Sequence, residues 1–545
     1  MLRIFRLFII LASTLSLLFS NVIAPEWFGA GSDECRFDYL EYPEQAVTDL
    51  SLTNLSDEDI KNRAEAGSES ADIKGYGDVS GVMVSPYYSA VINGTDVPVY
   101  AATAFSGIKK NGMIGSFSEI YIDKNETADI YLELNSDNYK IKNAVCLPES
   151  LGVKPYCKKG TMYAHITGLG IYTFLFNFSQ QDYSFTLFVR ENKDDDEQIA
   201  EYVSQYGEEN VMVFDSGLHN LDYINIVNKD GFVIYLRRGA YLCAQHKYEI
   251  NKYEDFEKET EVGAAQCNSL GITKYPFINF YNSRNVKLCG NGVIDLNRLD
   301  WHERRGVVFS NCEGVELSGV KVVNPPAWTV ITYQCCDVNI NNTDILGYRI
   351  NSDAFAICNS QNVEVDNCFA RSGDDLFDVK TLGGNQVSEN IIFTNCIAWN
   401  GKARCFGICG EIENDIRNVI FKDCAVIWRD GIWNKDRIAS LAIIDEVPGG
   451  KIENVTFENI EIYRDEGRAI CCMIYEENIK NTHIENVVFK NIKYTSKLKS
   501  KVYAGDETNS VSISISEVRA NGVKIKRMSS AAFVRDKYAA LTVIK

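Results

Sequence analysis

The sequence predicts an all-β protein in which a right-handed parallel β-helix follows an N-terminal β-sandwich-like module. A loose repeat of short strands rich in Val and Ile, each ending in Asn, Asp or Gly, begins near residue 211. Apolar residues recur with a period of two, which argues against helical repeats. Earlier segments alternate apolar and polar residues between Gly, Asn, Asp and Pro, as short antiparallel strands do.

The N-terminus has the pattern of a secretory signal peptide. Arg3 and Arg6 precede an apolar run over residues 7–19, and small residues follow up to Ala24. That run is shorter than the roughly 20 apolar residues that span a bilayer. We therefore expect residues 1–24 to be removed and the protein to be secreted into the extracellular space, with no membrane span after removal.

The module is expected to cover residues 25–205, and the parallel β-helix catalytic domain residues 206–545. The charged run over residues 193–197 is a plausible break between them, and residues 198–206 are expected to form a short helix. The segments that alternate most clearly in the module are residues 116–122, 128–134, 170–176 and 183–189.

The repeat after residue 211 is typical of a solenoid. Its copies lie roughly 23 to 36 residues apart, and each is a strand followed by a polar turn. Such units wind into coils, and each coil buries its apolar side against the next. The chain has 17 cysteines, many of them at one repeated position, which favours stacking inside the coils over disulfide bridges. Representative copies cover residues 363–368, 391–396, 419–424, 455–460 and 487–492.

The net charge of −19 limits the classes of molecule that the protein is expected to bind. Binding to nucleic acid needs clustered Lys and Arg, so we expect no nucleic-acid partner. An acidic polysaccharide would not be attracted by the overall charge and would need a local basic site. We expect a monomer as the default oligomeric state.

Two acidic motifs in the repeat carry the predicted chemistry. Asn351-Ser352-Asp353 is followed 21 and 22 residues later by Asp374 and Asp375, which is about one coil. Residues one coil apart stack on one face, so three carboxyl groups should converge there. Like charges at close range raise at least one pKa, and a protonated acid beside ionised partners suits glycosidic cleavage. Either motif alone would indicate no more than a turn, because Asn, Asp, Ser and Gly are common in turns.

With these motifs the sequence resembles a clan of inverting β-helix glycoside hydrolases. The clan contains family 28, the polygalacturonases and their relatives, and family 49, the dextranases and isopullulanases. The resemblance covers roughly residues 211–495, where residues 290–295 and 324–328 are similar to the family's approach to its site. The sandwich module before the β-helix is more like family 49.

The resemblance implies a role for each acid. Asp374 would be the general acid, and Asp353 and Asp375 would hold and activate the water, with inversion and no covalent intermediate. No metal or other cofactor would be needed. The implied function is a secreted inverting glycoside hydrolase that cleaves a polysaccharide, either of the pectin or polygalacturonate type or an α-glucan.

The sequence also departs from family 28. Residues 403–411 stand where a Gly-His-Gly is expected and contain no His, and residues 437–439 are at best a remnant of an Arg-Ile-Lys. In polygalacturonases those basic residues bind the substrate carboxylate. Because they are missing here, a neutral polysaccharide remains an alternative substrate. The candidate substrate-binding residues are Arg349, Lys380, Arg404 and Trp328, and Arg371 and Tyr348 also flank the acids.

Two alternatives remain open from the sequence. One is a polysaccharide lyase on the same fold, which would use calcium carboxylates and a Lys or Arg base. The other is a non-catalytic carbohydrate-binding surface protein with a decayed site. Fold alone does not choose among them, because β-helices host all three functions.

Overall fold

A computed structural model gives the architecture of the chain. The predicted signal peptide lies outside the residues that it describes. Those residues are 37–47, 81–103, 113–123, 129–136, 140–177, 183–245, 275–299, 303–349, 351–383, 386–400, 402–429, 437–447, 449–475, 479–527 and 532–544.

The N-terminal module contains twelve described strands in two sheets, and its short 3-10 helices cover Glu44–Ala46 and Glu149–Leu151. Its strands are β1 Phe37–Tyr39, β2 Val82–Val84, β3 Ser89–Ile92, β4 Thr95–Val97, β5 Tyr100–Thr103, β6 Met113–Ile122, β7 Asp129–Asn135, β8 Ala144–Leu147, β9 Tyr156–Lys158, β10 Thr161–Thr167, β11 Gly170–Phe176 and β12 Phe185–Glu191.

The two sheets of the module pack face to face as a sandwich. One sheet has the order β2-β5-β6-β12-β11-β8, with β1 added to β6, and the other has the order β4-β3-β7-β10-β9. Ile92 and Leu132 of the second sheet share a buried core with Phe174 and Leu187 of the first. Strand β7 alternates buried and half-buried residues along its length, which is the period-two pattern expected of a strand with one face in the core.

The one described α-helix joins the module to the solenoid. It covers Asp195–Tyr206, and a 3-10 helix follows at Glu208–Asn210. The helix begins three residues before the predicted residues 198–206, within the charged run, because the Asp194 carboxylate accepts the backbone N–H groups of Asp196 and Glu197. An acidic N-cap and first turn complement the positive end of the helix dipole. No helix within the described ranges is long and apolar enough to cross a membrane.

The rest of the described chain is a solenoid. Its strands are β13 Val211–Phe214, β14 Gly217–Leu221, β15 Ile224–Val227, β16 Asp230–Leu236, β17 Ala240–Ala244, β18 Pro276–Tyr281, β19 Arg284–Gly290, β20 Val293–Asp295, β21 Arg305–Ser310, β22 Glu313–Ser318, β23 Lys321–Val323, β24 Val330–Tyr333, β25 Cys336–Asn341, β26 Asp344–Leu346, β27 Phe355–Cys358, β28 Gln361–Asp366, β29 Phe369–Ser372, β30 Phe377–Thr381, β31 Ser388–Thr394, β32 Ile397–Asn400, β33 Phe406–Ile412, β34 Ile416–Lys422, β35 Ala425–Arg429, β36 Ala439–Asp445, β37 Ile452–Ile474, β38 His483–Leu498, β39 Ser500–Tyr503, β40 Ser510–Ser516, β41 Arg519–Ala520, β42 Val523–Lys524, β43 Phe533–Arg535 and β44 Ala539–Val543.

These strands form the predicted parallel β-helix with three faces. From β13 to β34, each strand pairs in parallel with the strand three positions further on, as in β24 with β27 and β27 with β30. One face runs through β25, β28 and β31, the second through β26, β29 and β32, and the third through β27, β30 and β33. The third face carries the candidate site.

Two kinds of side chain recur from coil to coil, one in the interior of the β-helix and one on its turns. Phe355, Phe377 and Phe406 stack inside the third face with ring centroids 5.1 and 4.9 Å apart. On the turns, Asn395 and its equivalents adopt positive φ, a conformation that Asn tolerates better than most residues. The described cysteines are free thiols, as the repeated position predicted, and Cys396 lies between Cys368 and Cys424.

The module packs its first sheet against the second face of the β-helix. Module aromatics such as Phe188 share a buried cluster with Phe369 and Trp399 of the solenoid. Charges are also buried there, and Asp344 accepts hydrogen bonds from Arg190 of the module at 2.7 Å and from Lys321 at 2.6 Å. Each buried charge thus has an opposite partner, without which burial would be costly.

Candidate active site

Three consecutive coils bring the acidic motifs together on the third face of the β-helix. The backbone N–H of Ala354 donates to the carbonyl of Asp375 at 2.8 Å, and the N–H of Leu376 donates to the carbonyl of Arg404 at 3.0 Å. Phe355 pairs with Phe377 in the strands that follow. Asp353, Asp375 and Arg404 therefore stack one coil apart, as the 22-residue spacing predicted for the two acids.

The three carboxyl groups form one cluster. Asp353, Asp374 and Asp375 can each offer an oxygen that lies within 4.8 Å of the other two. Asp353 and Asp375 are 3% and 2% exposed, whereas Asp374 is half-buried. Asp374 is therefore the carboxyl group that a bound sugar reaches most directly. The same trio is where a metal ion would find converging ligands among the described residues.

The turn before Asp353 is fixed by its own hydrogen bonds. Asn351 adopts a φ of 59°, and its backbone N–H donates to Asp374 Oδ2 at 3.0 Å. The Ser352 hydroxyl donates to the Arg349 carbonyl at 2.6 Å, and it lies 2.5 Å from the hydroxyl of Ser372 one coil later. The two acidic motifs are thus tied to each other as well as stacked.

Gly373 permits the close approach of these two turns. A Cβ at this position would lie 2.2 Å from the carbonyl oxygen of Arg349 and 2.6 Å from that of Tyr348. Both distances are far below van der Waals contact with backbone atoms, which cannot move aside easily. A side chain here would push Asp374 away from the turn that carries Asp353.

Arg404 grips Asp375 in a fork. Its Nε donates to Oδ1 and its Nη2 donates to Oδ2, both at 2.7 Å, and its backbone N–H also donates to Oδ1 at 3.1 Å. Both partners are nearly fully buried. Such a two-pronged, charge-assisted pair fixes the orientation of the carboxylate and favours its ionised form.

Lys380 lies among four carboxyl groups of the site. Its ammonium lies 3.9 Å from Asp353 and 3.8 Å from Asp375, and closer to Asp378 at 3.1 Å and Glu411 at 2.8 Å. The side chain is almost completely buried. Burial lowers the pKa of Lys380, but the surrounding carboxylates outweigh it and hold the pKa well above the ordinary value, so the amine is an ammonium ion.

The surroundings separate the pKa values of the three aspartates. Burial, and then the charge of Asp375, raise the pKa of Asp374 to about 6. Burial and the neighbouring Asp374 raise the pKa of Asp353 well above its usual range. Burial also acts on Asp375, but Arg404 and then Lys380 outweigh it and hold its pKa below the ordinary value. One ionised carboxylate therefore stands beside two carboxyl groups that hold protons more tightly.

The other predicted binding residues are distributed unevenly. The half-buried Trp328 lies beside the cluster, with its ring centroid 4.8 Å from Lys380 Nζ. Arg349 is buried and donates to the backbone carbonyls of Leu299 and Asn297, both at 2.6 Å. Its guanidinium thus supports neighbouring loops.

Arg371 and Tyr348 belong to the interface with the module. Arg371 stacks on Trp399 at 3.8 Å, and Tyr348 is buried in the same aromatic cluster. Neither side chain lies on the third face with the acids. Their closeness in sequence to the acidic motifs reflects the turn between the second and third faces.

The comparison with family models assigns the chain. Residues 260–539, about half of the 545, match the model of the Glycosyl hydrolases family 28. The chain belongs to glycosyl hydrolase family 28. This family 28 member is therefore a glycoside hydrolase, and the matched residues contain all three aspartates as well as Lys380 and Arg404.

Two curated relatives of the family 28 enzyme come from fungi. It is 23% identical over 349 residues to a probable exopolygalacturonase B of Neosartorya fischeri, a match that covers 55% of the chain and 74% of the relative. It is also 23% identical over 303 residues to the exopolygalacturonase B of Aspergillus niger, covering 47% of the chain and 66% of that relative.

Among solved structures, the family 28 enzyme is similar to Dex49A from Penicillium minioluteum. The TM-score is 0.57 at 12% sequence identity, and the match covers 85% of the chain and 95% of Dex49A. At that identity the likeness concerns the fold. It extends over most of the chain, beyond the residues that match the family model.

The structure adds three acids to the site of the family 28 enzyme that the sequence did not single out. Asp378 and Glu411 contact Lys380, and Glu446 accepts from Arg404 at 3.2 Å and from Arg437 at 2.7 Å. A signal for Asp378 was present, because it shares the period-two face of β30 with Lys380. Glu446 lies 42 residues from Arg404, and no spacing in the sequence pointed to it.

Proposed function

We propose that this family 28 enzyme is secreted and hydrolyses O-glycosidic bonds of a polysaccharide with Asp353, Asp374 and Asp375. The observation that carries the proposal is the contrast within the cluster. Asp375 is held ionised by Arg404, whereas Asp374, less than 4.8 Å away, has a pKa of about 6. Glycosidic cleavage needs such an acid and base side by side.

Asp374 is proposed as the general acid. It is the half-buried member of the trio, so its carboxyl group can reach the glycosidic oxygen. It donates its proton to that oxygen as the bond to the anomeric carbon breaks. Its Oδ2 accepts the N–H of Asn351, which keeps the carboxyl group oriented between turnovers.

Asp375 and Asp353 are proposed to hold and activate the water. The ionised Asp375 accepts one proton from the water while the water oxygen attacks the anomeric carbon. Asp353, one coil away, accepts or donates a hydrogen bond to the same water. The products are a shortened chain and a new reducing end, and the proton gained by Asp375 balances the one that Asp374 gave up.

The proposed stereochemical outcome is inversion. The family resemblance implies it, and the cluster offers two carboxyl groups besides the acid to position a water. Carboxyl groups of inverting enzymes usually stand about 6.5–9.5 Å apart, wider than the oxygen separations here. The water is therefore proposed to lie beside Asp353 and Asp375, on the flank of the cluster, rather than between acid and base.

The substrate class is proposed as a pectic polysaccharide or an α-glucan. The relatives named as exopolygalacturonases support the first, and the motif and module likeness to family 49 supports the second. Trp328, at the edge of the cluster, is proposed to stack on a sugar ring. Lys380 and Arg404 are proposed to act indirectly, by orienting the aspartate carboxylates that act on the substrate.

The direct test is incubation of the purified protein with polygalacturonate, dextran and pullulan. Hydrolysis predicts new reducing ends with no ultraviolet absorbance from an unsaturated sugar. A calcium-dependent rise in that absorbance would identify a lyase instead. Binding to a polymer with no release of reducing ends, by protein shown to be folded by circular dichroism, would identify a carbohydrate-binding protein.

A further inference from the structure

The carboxyl groups of the candidate site outnumber its cations. Three cations stand among six carboxyl groups, and the contacts between them range from 2.7 to 3.9 Å. The cations are Lys380, Arg404 and Arg437. The carboxyl groups are those of Asp353, Asp374, Asp375, Asp378, Glu411 and Glu446.

Lys380 is fully engaged by the protein itself. Its three N–H donors face four carboxyl groups within 4 Å, of which Glu411 at 2.8 Å and Asp378 at 3.1 Å are nearest. The ammonium is buried, and the ring of Trp328 covers it from 4.8 Å. A substrate carboxylate would have to displace one of these partners to reach the charge.

The two arginines are engaged in the same way. The Nε and Nη2 atoms of Arg404 donate hydrogen bonds to Asp375, and its Nη1 donates to Glu446. Arg437 donates to the other oxygen of Glu446 at 2.7 Å and lies over the ring of Tyr475. Glu446 thus neutralises the outward ends of both guanidinium groups.

A uronate placed at the reacting position would add a negative charge to this cluster. A buried carboxylate is stabilised only by a partner of opposite charge or by several hydrogen-bond donors. Lys380, Arg404 and Arg437 each already have a carboxylate partner. Arg349, the remaining basic candidate on these turns, donates to two backbone carbonyls.

We infer that the sugar bound beside Asp374 carries no carboxylate, so that the enzyme cleaves a neutral glycan, or a neutral residue within a pectic chain. The inference rests on the proposed hydrolysis by the aspartate cluster. Its physical basis is that Glu411 and Glu446 occupy the cations that a uronate would need. Neutral hydroxyl groups, in contrast, can donate to the many carboxylate oxygens of the site.

The experiment compares polymers that differ in charge. The wild-type enzyme is assayed for reducing ends on polygalacturonate, on its carboxyl-reduced product with the same linkages, and on dextran and pullulan. We expect kcat/KM on at least one neutral polymer to exceed that on polygalacturonate by about tenfold or more, since an unpaired buried group is rejected at least that strongly.

A charge-neutralising variant tests the cause. Glu446→Gln keeps the shape of the side chain but releases the positive charge of Arg404 and Arg437. We expect the ratio of kcat/KM on polygalacturonate to that on the preferred neutral polymer to rise about tenfold. Glu458→Gln, which releases Lys490 on the surface, is the matched control and should leave the ratio unchanged.

The outcomes separate the inference from the function on which it rests. Cleavage of polygalacturonate at a rate within tenfold of the best neutral polymer, abolished by Asp374→Asn, would support the aspartate hydrolase and overturn the neutral-sugar inference. An unchanged ratio in Glu446→Gln would also overturn it. No cleavage of any polymer by folded protein would overturn the proposed function and the inference together.

Discussion

Arg404 holds both carboxylate oxygens of Asp375 at 2.7 Å, one from Nε and one from Nη2. This pair of hydrogen bonds makes the pKa of Asp375 different from the pKa values of the neighbouring carboxyl groups, which would otherwise compete with it for protons. Asp375 stays ionised, and its charge in turn raises the pKa of Asp374. The division into acid and base therefore depends on an arginine that stands where polygalacturonases are expected to have a Gly-His-Gly.

Replacing the fork with a single ammonium should shift the acid limb of the pH profile. In Arg404→Lys the charge remains, but one or both of the paired bonds to Asp375 are lost. The pKa of Asp375 should rise, so kcat/KM should begin to fall at a higher pH on acidification than in the wild type. The measurement is kcat/KM against pH on the preferred polymer.

Arg417→Lys is the matched control for that variant, because Arg417 pairs with Glu389 away from the acids. Its profile should coincide with that of the wild type. An Arg404→Lys profile that is merely lower at every pH, with no displacement of the acid limb, would contradict the role given to the fork.

The alkaline limb should report Asp374. Its pKa is raised to about 6, so the carboxyl group is protonated below that pH and loses its proton above it. A general acid works only when protonated, and kcat/KM should therefore fall about tenfold per pH unit well above pH 6. Circular dichroism across the same range checks that the protein stays folded. Activity that stays constant up to pH 8 would argue against a carboxyl acid with this pKa.

Chelation should leave the activity unchanged. The trio converges closely enough for a metal ion, but Arg404 occupies both oxygens of Asp375, and Lys380 lies 3.9 Å from Asp353. The protein's own cations thus already supply positive charge beside two of the three carboxyl groups. We expect equal rates with EDTA and with added calcium. A rate abolished by EDTA and restored by calcium would favour the lyase alternative.

The anomeric configuration of the first product should be inverted. In the proposed mechanism, a water activated by Asp375 and Asp353 attacks from the face opposite the leaving group in one step. Proton NMR of the reaction mixture, recorded before mutarotation, distinguishes the two anomers. A product of retained configuration would mean that one of the two carboxylates acts as a nucleophile and forms a covalent intermediate.

Much of the fold was predictable because its signals are local and repeated. The period-two strands and the recurrent Asn and Cys positions predicted the parallel β-helix. The 22-residue interval between Asp353 and Asp375 is one short coil, so stacking alone brought them together. The charged run over residues 193–197 lies between the last strand of the module and the first strand of the solenoid, and it also supplies the N-cap and the first turn of the α-helix, because an acidic N-cap and a solvated boundary have the same composition.

The direction of individual basic side chains was not predictable in the same way. Arg349 and Arg371 flank the acids in sequence, yet one binds backbone carbonyls and the other stacks on Trp399. Each turn between faces redirects neighbouring residues by a large angle. Glu446 was also missed, since the coils after Arg404 vary in length and its position depends on a long connection between strands.

The central claim is that Asp374 supplies the proton. The most direct measurement compares kcat of the wild type and of Asp374→Asn on the polymer that the wild type cleaves, with Asp337→Asn, an exposed residue of β25, as the control. We expect Asp374→Asn to lose about 100-fold or more in kcat with an unchanged melting temperature, and the control to retain full activity. A folded Asp374→Asn that keeps kcat within a factor of about three of the wild type would contradict the account.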